Sequence, residues 1–590
     1  MRVVDAVAQW FKAAGFQHYF GYAGGAVWPL LDALIDVPEV VGVQGKHESH
    51  SVHQADVYYR LTGRIAPVIV TKGPGLMNTV GGMANAYHDS VPVMLIGGGG
   101  STHFLGKAGM QEMFYKGHED SVSVFRPITK GAWMCVRPDT VIDILNYAYR
   151  TAVTGRPGPV YVLIPLDVQM GEVEGEIEPP SARSVTKTLR AGSDDVAQAA
   201  KLVREAEKPI LLVGGGTARA DAAPAISSLV DAHPLPVMTT LTAKGMLPET
   251  HELSLGPVGR SGTEAAARAA READLVVAVG ARFSDNHTSN WRKGAIYDVP
   301  RTKIIHVDID PQEIGRNYPV ELGLESDAGA FLTDLQSALG DQPVDRSAWI
   351  ETVQGYKREW LEEIESIVRS TSSPIHPGRL AFDVGEAIAE RGRVFIDIGD
   401  VIQYAEPYMT VHRPGSWHIN PGMAEMGWAA QGAPGAVVAD PDSPAVVMTG
   451  DGAFLMGPQV LATVVEYGLP VVWVILNNGE LGIERKGAGA AFGRNHPWIT
   501  FTTPDGEPYN PDFAALAQSF GAEGTRIEKT EDFRPALEAA LASGRPTVID
   551  VVIDTSPPSY FTKGLDRAYP TDWGASYPSY GLLSLKKKDG

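Results

Sequence analysis

Cysteine is almost absent from this chain: Cys135 stands alone in 590 residues. No intrachain disulfide can form, and nothing calls for an oxidising compartment. Basic residues are in deficit as well. The 50 Lys and Arg are outnumbered by 70 Asp and Glu, for a net charge of −20, which argues against a nucleic-acid partner. No apolar run reaches the roughly 18 residues that a membrane helix requires. The first residues, Met1-Arg2-Val3-Val4-Asp5-Ala6-Val7-Ala8, start a helix directly. They lack a basic segment followed by an apolar core, so no secretory leader is expected and the protein reads as cytoplasmic.

What is present is a rhythm of short apolar runs alternating with helix-like stretches. The length exceeds what one core accommodates and suggests roughly three domains. In residues 1–170, strand-like Val40–Val43, Val68–Val70, Val93–Gly97 and Val160–Ile164 alternate with helix-like Val3–Ala14, Ser49–Tyr59 and Gly81–Tyr87. This is the βαβ pattern of a parallel sheet. A charged, Pro-containing linker follows at 171–190. A second unit, 191–340, has strand-like Pro209–Val213, Leu275–Val279 and Lys303–Asp308, the first two running into glycine turns. Another linker, 341–375, holds helix-like Ser347–Ile367, and a third unit covers 376–555. The tail, 556–590, is aromatic and ends in Lys586-Lys587-Lys588; it reads either as packing against protein or as a lid. The fold expected is α/β, three doubly wound parallel-sheet domains.

The sharpest chemical signal lies in the third unit. Apolar Ala445-Val446-Val447-Met448 runs into Gly450-Asp451-Gly452. A helix-like stretch, Pro458–Tyr467, and a second strand, Pro470–Leu476, lead to Asn477-Asn478. In a parallel sheet both turns fall at the carboxyl ends of neighbouring strands, where ligands bind. Magnesium takes hard oxygens, which Asp451 and Asn478 supply, and the glycines let phosphate approach the backbone. The pattern reads as a clamp for a magnesium diphosphate. Histidines 47, 50 and 53 do not make a zinc site, because their spacing splays them around a helix.

A second signal is Lys46-His47-Glu48, where an apolar strand ends and a carboxylate heads a helix. Gly21-Tyr22-Ala23-Gly24-Gly25-Ala26, Gly73-Pro74-Gly75-Leu76-Met77-Asn78, Met110-Gln111-Glu112 and Gly155-Arg156-Pro157-Gly158-Pro159-Val160 follow in the same order as in a known family. With these motifs the chain resembles, over about residues 1–555, the thiamine-diphosphate (ThDP) enzymes of the acetolactate synthase and 2-hydroxyacyl-CoA lyase branch. The resemblance implies ThDP with Mg²⁺. Glu48 is implied to hydrogen-bond the pyrimidine N1′, and Pro74, Asn78, Met426, Gly450, Asp451, Gly452, Ala453, Asn478 and Ile483 to line the cofactor. Asp451, Asn478 and the Glu480 carbonyl are implied to hold the metal. The Gly25 N–H and the Gln111 amide are candidate oxyanion donors, with His47 or Lys72 as further candidates. Lys72 departs from the small or polar residue the family has there, and a cation at that point bears on substrate charge. The resemblance also implies that the cofactor spans two subunits, in at least a homodimer and by likeness a homotetramer.

The substrate is where the motifs diverge. Phe125-Arg126-Pro127-Ile128-Thr129-Lys130 and the central stretches Gly280-Ala281-Arg282 and Val307-Asp308-Ile309-Asp310 resemble acetolactate synthase, whose central domain implies FAD. An ADP moiety, or no nucleotide, are the alternatives. Gly73-Pro74-Gly75-Leu76 followed by Gly81-Gly82-Met83-Ala84-Asn85-Ala86 resembles 2-hydroxyacyl-CoA lyases instead, and Glu484-Arg485-Lys486 after Ile483, with the tail, points the same way, to release of formyl-CoA and an aldehyde or ketone. In that reading Glu484 shuttles a proton and the two cations meet CoA phosphates. The lyase is the leading expectation, the condensation of 2-oxo acids the alternative. A non-catalytic interaction subunit is the reading from another class.

Overall fold

A computed structural model describes residues 1–107, 109–113, 116–117, 120–180, 188–291 and 293–557, the side chains of 490–492 excepted. Residues 558–590, nearly all of the tail read above as packing against protein or as a lid, lie outside the described residues. Among the described residues the chain forms three six-stranded sheets, every strand pair in them parallel. The first contains β1 (His18–Tyr22), β2 (Val41–Gln44), β3 (Val68–Val70), β4 (Met94–Gly99), β5 (Gly131–Met134) and β6 (Val160–Pro165), in the order β2-β1-β3-β4-β6-β5. The second contains β7 (Pro209–Val213), β8 (Val237–Thr239), β9 (Ser254–Pro257), β10 (Leu275–Val279), β11 (Lys303–Asp308) and β12 (Leu322–Glu325), ordered β12-β11-β10-β7-β8-β9. The third contains β13 (Arg393–Ile396), β14 (Trp417–Ile419), β15 (Ala445–Gly450), β16 (Val471–Asn477), β17 (Glu523–Ile527) and β18 (Thr547–Val552), ordered β14-β13-β15-β16-β18-β17.

Counted within its own unit, the third sheet repeats the strand order of the first. The central sheet differs: its order reverses between β7 and β10, the arrangement of dinucleotide-binding folds. Apart from Val40–Val43, which falls on the partly exposed edge strand β2, the apolar runs of the sequence are inner strands, buried on both faces by helical layers. Along β6, Val160, Val162 and Ile164 enter one core while Tyr161 and Leu163 enter the other. Helix 347–368, expected within a linker, is a strap. Trp349 and Val353 pack into the central unit, Trp360 and Ile364 into the third. Among the described residues no helix is long and apolar enough to cross a membrane.

The first and third units join along helix Glu48–Thr62, which packs on helices Trp428–Gly432 and Pro434–Ala439. The approach is close because Gly435 has no side chain: a Cβ there would lie 2.1 Å from the Gln54 carbonyl oxygen. At the far end of the helix Arg60 is buried. Its Nε donates to Asp56 Oδ1 at 2.5 Å, Nη2 to Asp89 Oδ2 at 2.9 Å and Nη1 to the Ile419 carbonyl at 2.8 Å. Its guanidinium lies 4.6 Å from the centre of the Trp428 ring. Burial opposes the charge, yet Asp56 and Asp89 hold Arg60 firmly protonated. The central unit is tied to the first by Arg282, donating to the His88 carbonyl at 2.8 Å, and by Glu313, 3.0 Å from Arg156.

Arg60→Met leaves two buried carboxylates without their cation. It should cost about 3–5 kcal/mol of unfolding free energy, measured by urea titration. A loss below about 1 kcal/mol, the range of exposed ion pairs, would show that the pair is not what joins the units.

Candidate active site

The carboxyl ends of β1, β2, β3 and β4 converge on one mouth. β2 ends at Gln44, and after a short turn Glu48 begins a helix as its first residue. His47 caps that helix, its Nδ1 accepting from the Ser49 N–H at 3.3 Å. Glu48 is buried and aimed by Asn78, whose Nδ2 donates to Oε2 at 2.9 Å. The other oxygen faces Gly75, where a Cβ would stand 3.3 Å away. Pro74, Gly75 and Asn78 therefore form the wall beside Glu48. Gly73, at φ +63°, turns the chain into that wall, and a Cβ on it would meet the Gln111 carbonyl oxygen at 2.6 Å. The turn starting at Gly25 is fixed to this wall by the Ala26 N–H, which donates to Thr71 Oγ1 at 3.2 Å. Gly25 and Gln111 are both exposed.

In the third unit the ends of β13, β15 and β16 converge in the same way. Asp451 is almost fully buried. Its Oδ1 accepts from the Gly452 N–H at 2.7 Å. Its Oδ2 accepts from the N–H of Gly479 and Nδ2 of Asn510, both at 2.7 Å, and from the Asn478 N–H at 3.2 Å. Burial raises its pKa, against the pull of these donors. Asn478 Oδ1 accepts from the Glu480 N–H at 3.2 Å, while the Glu480 carboxylate is held by Arg485 at 2.6 Å. Gly450 precedes Asp451 and buried Ala453 follows it in the turn. The Met426 methyl reaches the space beside Gly452, 3.5 Å from where a Cβ would be. Ile483, half-buried, lies at the start of helix Gly482–Phe492.

Glu484 does not join this group: it is exposed. The two cations after it are engaged within the chain. Arg485 bonds Glu480 and the Thr555 carbonyl; Lys486 bonds Asp400 at 2.5 Å and the Tyr404 hydroxyl. Their availability for CoA phosphates, expected above, is not what the fold provides. In the central unit the glycine turns bond each other, Gly216 N–H to the Gly280 carbonyl at 3.0 Å. Asp308, buried and raised in pKa by that burial, accepts from the Asp310 N–H at 2.9 Å.

Sequence reading passed over Asn510 and Asp397. Asn510 bridges Asp451 and Asn477 from a distant loop, with no local pattern to mark it. Asp397 ends β13 and is wholly buried. Oδ1 accepts from the N–H of Ile398 at 2.9 Å and of Gly427 at 2.7 Å; Oδ2 accepts from the Ala430 N–H at 3.2 Å and Thr449 Oγ1 at 3.1 Å. It thereby sets the Met426–Gly427 turn against the strand that delivers Asp451. A carboxylate closing an apolar strand was its signal. No hydrogen bond joins the Glu48 group to the Asp451 group among the described residues.

Two carboxylates at strand ends of two like-ordered sheets, one among amide donors and one beside a glycine turn, suit a diphosphate cofactor whose other ring needs an acid partner. The comparisons agree. Profiles of the thiamine pyrophosphate enzyme N-terminal TPP binding, central and C-terminal TPP binding domains match residues 1–120, 196–335 and 397–551. The chain is 35% identical over 565 residues to a probable acetolactate synthase large subunit of Methanocaldococcus jannaschii, covering 94% of this chain and 92% of that one. It is 34% identical over 542 residues to the acetolactate synthase large subunit of Corynebacterium glutamicum, covering 90% and 84%. The Haemophilus influenzae acetolactate synthase large subunit is 31% identical over 564 residues, covering 94% and 95%. The chain belongs to the ThDP-dependent enzymes of the acetolactate synthase family, which act on carbon–carbon bonds.

Asp397 carries a pH signature. Burial pushes its pKa from the ordinary 3.8 up to about 6. Between those values the folded chain binds the extra proton, so this residue's contribution to stability falls as pH rises through 6. Urea titrations from pH 4 to 7 should show that slope in the wild type and lose it in Asp397→Asn. Parallel curves for the two proteins would refute the assignment. Asp397→Ala should in addition cost about 3 kcal/mol, since buried N–H groups lose their acceptor.

Proposed function

We propose that the protein is a carboligase that condenses two 2-oxo acids, as an acetolactate synthase does, using ThDP and Mg²⁺. What carries this reading is similarity along nearly the whole chain to proteins of that name. The competing 2-hydroxyacyl-CoA lyase rested on the Gly73–Leu76 and Gly81–Ala86 segments, on Glu484, Arg485 and Lys486, and on the tail. With both cations bonded inside the chain, it is the weaker reading. A non-catalytic subunit is weaker still, because Glu48, Asp451 and Asn478 are all present in bonded, oriented form.

When bound, ThDP supplies a nucleophilic carbon and an electron sink for the bond that breaks beside it. Glu48 holds the proton shared with the pyrimidine N1′. Asn78 fixes which carboxylate oxygen is engaged, leaving Oε1 toward the Gly75 clearing. Met426 and Ile483 offer apolar contact, and the Pro74 wall limits the ring's position. At the other end, oxygens of Asp451, Asn478 and the Glu480 carbonyl suit Mg²⁺, and the Gly450–Ala453 turn accommodates phosphate. The Gly25 N–H and the Gln111 amide donate to the carbonyl oxygen of the substrate as negative charge develops on it. The strand order of the central unit favours a dinucleotide at the β7/β10 reversal. FAD is the reading that goes with the synthase; ADP or no nucleotide are its rivals, and flavin absorbance of the purified protein decides. The single cysteine and the composition favour a cytoplasmic enzyme.

Because the resemblance implies a cofactor that spans two subunits, we infer a site completed between two copies, in a homodimer or a dimer of dimers. Glu48→Gln and Asp451→Ala should each lower turnover of pyruvate at least about 100-fold. Co-expressed, they should regain a measurable fraction, since one mixed site then carries neither change. Two inactive variants that stay inactive together would place the site within one chain. Formyl-CoA from 2-hydroxyisobutyryl-CoA, with pyruvate untouched, would restore the lyase reading.

A further inference from the structure

Lys72 lines a cavity together with Gly73, Gly100, Gln111, Glu112 and Leu163. Among the described residues lining that cavity it is the single cation and Glu112 the single anion. The two are joined, Nζ to Oε1, at 2.5 Å. The Glu112 side chain is only 5% exposed and that of Lys72 20%. The pair is built in. A Cβ on Gly100 would fall 1.6 Å from Glu112 Oε1, and one on Gly109 2.8 Å from its Cγ, so two glycines clear the slot this side chain fills. A buried carboxylate of this kind requires a cation. The cation comes from the turn whose next residues, Gly73 to Asn78, touch Gln111 on one side and Glu48 on the other. An ammonium carries three donors, and Glu112 occupies one.

We propose that Lys72 determines acceptor specificity: with Glu112 fixing its position, its ammonium holds the carboxylate of the acceptor 2-oxo acid next to Gln111. A second anion at an ammonium already anchored gains a charge-assisted bond without the entropy of ordering a free lysine. A neutral aldehyde gains nothing from it. The proposal rests on the carboligase reading and adds to it the residue that reads the acceptor's charge.

The test is a competition. Pyruvate is the donor, and 2-oxobutanoate and propanal are offered together as acceptors at equal concentration, with products resolved by mass spectrometry. In Lys72→Met the ratio of acid-derived to aldehyde-derived product should fall about tenfold or more, with a rise in the KM for 2-oxobutanoate. Lys72→Arg, which keeps the charge, should retain the wild-type preference. Glu112→Gln should keep a preference for the acid, because the cation remains. An unchanged ratio in Lys72→Met overturns the proposal while leaving the carboligase reading intact. If Lys72→Met melts early, Lys72→Gln measured against Lys72→Arg gives the same decision. A wild type that makes no product from pyruvate overturns both.

Discussion

One guanidinium, buried between units that fold from distant parts of the chain, sets the geometry of everything above it. Arg60 lies in the last turn of the helix that Glu48 begins. A helix of 15 residues is about 22 Å long and stiff, so anchoring one end against Ile419 and Trp428 fixes the bearing of the other. Burying such a charge is favourable only with close counter-charges and well-formed hydrogen bonds. Asp56 and Asp89 meet that requirement, and each also takes a bond from the third unit, through the Trp428 Nε1 and the Gly422 N–H. The same two carboxylates thus neutralise the cation and clasp the neighbouring domain.

The Asp451 side uses a comparable device. Asp397 is a hub of four donors rather than an ion pair, and it aligns two turns that the chain reaches 30 and 52 residues later, at Gly427 and Thr449. In both halves the residue proposed to meet the cofactor is oriented by a hydrogen-bonding neighbour. Asn78 orients Glu48, and Asn510 with the Gly479 N–H orients Asp451. Glycine makes the closeness possible where side chains would collide, at Gly435 between helices and at Gly73 beside Gln111.

The sequence was most readable where physics is local. Inner strands such as β15 and β16 are apolar throughout because both faces are covered, and their ends mark the motifs. Two edge strands escaped notice, although β2, also at an edge, was read. β5 and β17 mix glycine, charge and half-buried positions, so no run of apolar residues announces them. The helix at Ser347–Val368 was legible as a helix but not as a strap, since its two apolar patches face different domains. Asp451 and Asn478 could be proposed because they sit in turns at strand ends, and Glu480 and Ile483 because the resemblance places them just after. Asn510, Asp397 and the pairing of Lys486 with Asp400 arise only from three-dimensional closure. The charge of Lys72 was visible in the sequence, its partner Glu112 was not.

The order of strands has a consequence for how the chain is made. The first sheet is complete at Pro165, well before the central sheet begins, and its long crossovers close slowly. On a ribosome that unit can condense while the rest is still being synthesised. Arg60 already has Asp56 and Asp89 at hand then, so the nascent domain need not wait for Trp428 to settle its buried charge. What it lacks until residues 428–439 emerge is a cover for the helix face at His53, Gln54 and Val57. Until then that stripe of the helix stays open to water, and the two domains are not yet joined.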